Sequence, residues 1–92
     1  MPDSAVFLTD HAAADLDRFP IRARLQISQG IAFLAREAPP PSPGTKKLKG
    51  YRPPLYRLRT GDYRVLYRVA GKAVTVIRVI ARRDLERALD SL

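Results

Sequence analysis

The sequence predicts an α+β fold in the order β-α-α-β-β-β-α, a helical hairpin packed on a small, mostly antiparallel sheet. Three observations carry this. Apolar residues recur at helical spacing on either side of Pro20, three later segments alternate between the glycine turns "TGD" and "GK", and the tail "RRDLERALDSL" returns to helical spacing. Helices with one apolar stripe and a sheet with one apolar face cover each other in layers. With 92 residues there is room for one modest core, so a single domain over 1–92 is expected.

The elements follow in order. "AVFLT" (5–9) is a short apolar strand, and Thr9 or Asp10 can cap a helix over 10–19 that places Leu16 and Phe19 on one side. Pro20 is tolerated in the first turn of a second helix over 21–38. Ile27, Ile31 and Leu34 mark its buried face, with Ile21 and Leu25 earlier on it. Gly30 is a poor helix former and suggests close backbone approach. "PPPSPG" (39–44) cannot be helical and reads as a stiff connector. "LYRLR", "YRVLYRVA" and "AVTVIRVIA" are then strands, and Leu85, Ala88, Leu89 and Leu92 form one face of a final helix.

A two-residue turn at Gly61 and Asp62 sets Arg59 opposite Arg64, Leu58 opposite Val65 and Tyr56 opposite Tyr67. Carried through a turn at Gly71 and Lys72, the alternation puts Tyr56, Leu58, Val65, Tyr67, Val69, Val74, Val76 and Ile80 on the core face. The other face collects Arg57, Arg59, Arg64 and Arg68 above Leu55, Leu66, Ile77 and Val79. In this register Arg78 falls on the core side, where a charge is out of place. Directly opposed arginines repel each other unless an anion lies between them. The planar guanidinium, charged at any working pH, suits phosphate. Lys46, Lys47 and Lys49 add a flexible basic rim upstream.

Composition narrows the partners. Seventeen Lys and Arg against nine Asp and Glu give a net charge of +8, which draws nucleic acid, an anionic membrane or an acidic protein. No apolar run reaches the roughly 20 residues of a membrane helix, and the cations lie on strands rather than along an amphipathic helix, so no membrane partner is expected. A chain without cysteine and with a single histidine, His11, lacks the usual ligands of zinc or copper, so no metal and no cofactor are expected. The absence of a secretory leader makes the cytoplasm the expected location.

"KKLKG" followed by "LYRLRTGDYRVLYRV" and "VTVIRVIARRDL" resembles the RelE/ParE superfamily of bacterial type II toxins, above all its RelE branch. The resemblance covers 46–84 most closely and implies a RelE-like fold. It further implies a toxin held inactive by a cognate acidic antitoxin. Such a toxin either cleaves mRNA in the ribosomal A site, by metal-free attack of a ribose 2′-hydroxyl on the adjacent phosphate, or poisons DNA gyrase. A homologue that keeps the fold but has lost toxicity is a third possibility.

On the nuclease reading the catalytic set is Arg57, Arg59, Arg64 and Arg83, with Lys46, Lys47, Lys49, Arg68 and Arg82 holding RNA; the resemblance offers Arg82 or Arg83 for the basic residue that ends the last strand. The family's tail Tyr or His has no counterpart in "RRDLERALDSL". Arginine is a poor general base. Asp84 and Glu86 are the nearby carboxylates, and both read first as acids complementing a helix start.

Overall fold

The computed structural model describes residues 5–37 and 44–92. The chain runs β1 (Ala5–Leu8), α1 (Asp10–Asp17), α2 (Ile21–Glu37), β2 (Thr45–Leu48), β3 (Leu55–Thr60), β4 (Tyr63–Ala70) and β5 (Ala73–Ala81). A turn of 3₁₀ helix, Arg82–Asp84, leads into α3 (Leu85–Asp90). The five strands lie in the order β1-β5-β4-β3-β2, antiparallel except where β1 runs parallel to β5. The architecture is therefore α+β, as expected, with one strand more. Of the lysines expected as a flexible rim, Lys46 and Lys47 lie in β2 and Lys49 in the turn after it; Lys46 faces Arg57 and Leu48 faces Leu55. All of the predicted connector except Gly44, with Ala38 of the predicted helix, lies outside the described residues.

Thr9 joins the first strand to the first helix. Its Oγ1 accepts from the Ala12 N–H at 3.1 Å as the cap of α1 and donates to the Ile77 carbonyl at 3.1 Å. The β3–β4 pairing is the predicted one, with Arg59 opposite Arg64 and Tyr56 opposite Tyr67. Gly61 has φ +59 at the first central position of that two-residue turn, a conformation that glycine adopts without strain.

The β4–β5 ladder departs from simple alternation. Leu66 opposes Arg78 but Tyr67 opposes Val76, so Ile77 is an extra residue in β5. This bulge corrects three assignments. Val79 pairs with Val65 and lies in the helix-covered core; Ile80 pairs with Arg64 and belongs to the opposite face. Arg78 is not buried against the core: its guanidinium reaches Asp15 of α1, at the edge of β5 that β1 leaves uncovered beyond Val76. Asp15 accepts from Arg78 Nε at 2.8 Å and Nη2 at 3.1 Å, and from the Val79 N–H at 2.9 Å.

The principal core joins Ala12, Ala23, Ile27 and Leu34 of the helices to Leu58, Val65, Tyr67, Val74, Val76 and Val79. Each large aliphatic side chain buried there contributes roughly 1.5–3 kcal/mol. Ile21 and Leu25 do not join it, being 60% and 58% exposed. They stand two residues, about 200° of helix, from Ala23 and Ile27, which carry the inward stripe. Gly30 fulfils its expectation: a Cβ there would lie 3.1 Å from Leu58 Cδ2 and 3.2 Å from Thr60 Cβ, so its absence lets α2 approach β3.

A second, smaller core lies on the other face, where Ala88, Leu85 and Leu89 of α3 cover Leu55, Leu66 and Ile80. The predicted tail helix is thus the cover of the basic face, with Leu92 left 52% exposed rather than packed.

Tyr67, fully buried and stacked on Tyr56 at 5.6 Å, has its phenol pushed up to about 12, by burial above all. A phenol with a raised folded value stabilises the fold below its unfolded value, near 10, and loses that contribution as pH rises to the folded one. Unfolding free energy is expected to fall by about 2–3 kcal/mol more between pH 10 and 12 in the native chain than in Tyr67→Phe, measured by denaturant titration.

Candidate nucleic-acid interface

The centre of the basic face is Arg64, a charged residue only 8% exposed. Its place follows from the hairpin: the tight turn at Gly61 brings main-chain carbonyls back over the start of β4. Nη1 of Arg64 donates to the Gly61 carbonyl at 3.0 Å and to the Tyr63 carbonyl at 2.9 Å. One nitrogen of the fork is thereby anchored, which fixes the direction of the rest.

Other cations surround it. Lys46, Arg57, Arg82 and Arg83 line, together with Arg64, an open concavity of ≈ 480 Å³. Lys46 and Arg57 come from the β2–β3 ladder, and Arg82 and Arg83 from the 3₁₀ turn that bends the chain off β5. The Arg82 N–H donates to the Asp62 carbonyl at 2.8 Å, tying that turn to the hairpin. The Arg64 guanidinium is held below its usual value by burial first, then by Arg57, Arg59 and Arg82, with Asp62 acting in the opposite sense. Among the described residues no ion pair joins a carboxylate to Arg57, Arg59, Arg64, Arg82 or Arg83. A cluster of mutually repelling guanidinium groups, one of them desolvated, gains from an anion with several oxygens.

Leu48 and Leu85 also line the concavity, and apolar lining of this kind lowers the local dielectric and strengthens charge interactions. Leu48 belongs to the unpredicted strand, and Leu85 was expected only on the apolar face of the last helix. Among the described residues Glu86 is the one carboxylate in the lining, from the first turn of α3. Asp84 instead pairs with Arg87 at 2.7 Å. Among the described residues no group of three His, Cys, Asp or Glu is placed to hold a metal ion.

The remaining expected residues are spread around this centre. Arg59 opposes Arg64 and acts on it electrostatically but does not line the concavity. Arg68 lies farther along β4, opposite Thr75, and is also outside it. Lys47 and Lys49 line a separate recess with Tyr51 and Arg52. Exposed His11 sits in the first turn of α1.

Comparison with known proteins agrees with this architecture. The family described as ParE toxin of type II toxin–antitoxin system matches residues 6–86. The chain belongs to that family, and so to the RelE/ParE superfamily of type II toxins. Among solved structures, the RelBE2 toxin–antitoxin complex of Mycobacterium tuberculosis is similar, with 29% identity and TM-score 0.75 over 87% of this chain and 99% of that one. The RelE–RelB complex of Pyrococcus horikoshii has 26% identity and TM-score 0.73 over 87% and 96%. The ParDE system of Pseudomonas aeruginosa shares the fold, at 22% identity and TM-score 0.53 over 85% and 95%. No curated protein sequence matches.

Proposed function

We propose that this toxin is a ribosome-dependent mRNA endonuclease whose scissile phosphate occupies the concavity around Arg64. The observation that carries the reading is one desolvated, carbonyl-anchored arginine ringed by Lys46, Arg57, Arg82 and Arg83, with a carboxylate on the same wall. Arg57, Arg64 and Arg83 bind the non-bridging oxygens and offset the charge that grows on them. Arg59 raises the local potential, and Lys46 and Arg82 steer the flanking backbone. Glu86 takes the proton from the ribose 2′-hydroxyl; the 2′-oxygen bonds to phosphorus, and the 5′-oxygen leaves and takes a proton from solvent. The products are a cyclic 2′,3′-phosphate and a 5′-hydroxyl end.

Glu86→Gln is expected to lower the cleavage rate on translating ribosomes by about 10²-fold or more while leaving phosphate affinity unchanged. Equal rates for the two proteins would remove Glu86 from the reaction. Lys47, Lys49 and Arg68 contribute to a broader field for ribosomal RNA, with a salt-dependent effect on association. The cognate antitoxin is acidic and amphipathic: its charge meets the arginine face, and exposed Ile21 and Leu25 on α2 offer an apolar complement.

A second reading, a toxin of DNA gyrase, is favoured by the ParE name of the matching family. Supercoiling by purified gyrase separates the two. The nuclease leaves it unaffected, and a gyrase toxin inhibits it without shortening message.

A further inference from the structure

The two edges of the sheet differ. At one edge β2 carries Lys46 and Lys47, and charged side chains of this kind keep an edge strand from pairing with another chain. At the other edge β1 reads "AVFL", without charge or proline, and its Phe7 and Leu8 are 56% and 40% exposed. We propose that β1 is the interface of a homodimer, in which two copies of the chain pair antiparallel across a twofold axis at Phe7 and join their sheets edge to edge.

The register follows from the main chain. The Ala5 N–H donates to the Lys72 carbonyl at 2.8 Å and the Thr9 N–H to the Val76 carbonyl at 3.0 Å, so residues 5, 7 and 9 turn their main-chain groups toward β5. Strand alternation then turns the N–H and C=O of Val6 and of Leu8 to the open edge, where no hydrogen bond joins them to any described residue. Antiparallel pairing of Val6 with Leu8 of a second copy, and the reverse, satisfies all of these groups and sets Phe7 directly opposite its own copy. Phe7 is then in a non-hydrogen-bonded pair, the closer of the two kinds, where an aromatic pair is stabilising. A second copy is the occupant that fits, because β1 is complementary to itself and a twofold contact uses one patch twice. Each chain carries +8, which opposes association. The twofold offsets part of this by bringing Asp10, just past the end of one β1, to the end of the other beside Lys72, both residues being exposed. Since the β2 edge is guarded by its lysines, pairing stops at two copies.

Because the chain has no cysteine, a single introduced thiol reports the pairing. In the proposed register Phe7 meets its own copy with Cα atoms about 4.5 Å apart, within disulfide reach, whereas Ala5 stands opposite Thr9, roughly 13 Å from its own copy. Under mild oxidation Phe7→Cys is expected to form a covalent dimer roughly tenfold faster than Ala5→Cys. Both positions are exposed, so the fold tolerates either change. The ladder is small beside the about 1,600 Å² of a standard interface, so the native dimer is expected to be reversible, its fraction rising with concentration in sedimentation equilibrium. Phe7→Lys is expected to be monomeric over the same range. Added salt is expected to favour the native dimer, by screening the repulsion between two chains of +8.

Equal oxidation rates at the two cysteines would overturn the pairing, and so would a native chain that stays monomeric at every concentration. Association that salt abolishes would also overturn it, because nucleic acid held between two basic faces behaves in that way. A Phe7→Lys chain that dimerises as the native one does would remove β1 from the contact. None of these outcomes bears on the concavity around Arg64, whose strand β4 is separated from β1 by β5.

Discussion

Asp15→Ala is expected to destabilise the fold by about 3–5 kcal/mol, a large share of the roughly 5–15 kcal/mol that holds a domain together. The carboxylate is 2% exposed and satisfies three donors at once: Arg78 Nε, Arg78 Nη2 and the Val79 N–H. Its loss leaves a guanidinium whose side chain is 13% exposed without its partner, and a buried main-chain donor unpaired on the edge of β5 that β1 does not cover. Arg18, the other cation near Asp15, stands 3.6 Å away on a side chain 68% exposed and contributes little. Chemical denaturation reads the effect. Arg78→Met made alone should cost less than Asp15→Ala, because a flexible apolar chain replaces a charge. In the double variant, Arg78→Met should recover part of the loss. A loss below 1 kcal/mol in Asp15→Ala would mean that α1 is held to β5 by apolar packing alone.

Arg64→Ala is expected to lower phosphate-dependent activity by about 10²–10³-fold while leaving stability within about 1 kcal/mol of the native chain. On the proposed function the two effects separate, because the side chain serves the ligand more than the fold. Arg64 carries a desolvation cost and repulsion from Arg57, Arg59 and Arg82, against two hydrogen bonds to the Gly61 and Tyr63 carbonyls. Removing it relieves the first two and sacrifices the last. On the proposed function the balance for the phosphate is opposite, since the fork, anchored through Nη1, already lines the concavity before the substrate arrives. Arg64→Lys keeps the charge but loses the fork and is expected to fall between the two. Activity is read as message cleavage on translating ribosomes and stability as the denaturation midpoint. A variant that unfolds would assign Arg64 to the scaffold.

Much of this was legible before the structure. Gly61 and Gly71 set both hairpin registers, and with the alternation of β3 and β4 they put Arg57, Arg59 and Arg64 on one face. Gly30 pointed to the close crossing of α2 over β3. What misled was local. The extra residue at Ile77 shifts the period by one, and a single-residue slip moves every later side chain to the other face, so Val79 and Ile80 changed places. Arg78 on an apolar face was the visible sign that the alternation failed there. The strand at Thr45–Leu48 was hidden because its lysines look like ordinary solvated charge, and its pairing with β3 appears only when Lys46 is set beside Arg57. Glu86 could be read from sequence only as a helix-start acid, because the fold of α3 across the second face is what brings it to the arginines.

The central claim, that the concavity around Arg64 holds an RNA phosphate for cleavage, is tested most directly by mapping message ends by primer extension after translating ribosomes meet the purified protein. New 5′ ends inside the codon in the A site, present with the native chain and missing with Arg64→Ala, are the expected result. Full-length message with the native protein, under conditions where it still arrests growth, would contradict it.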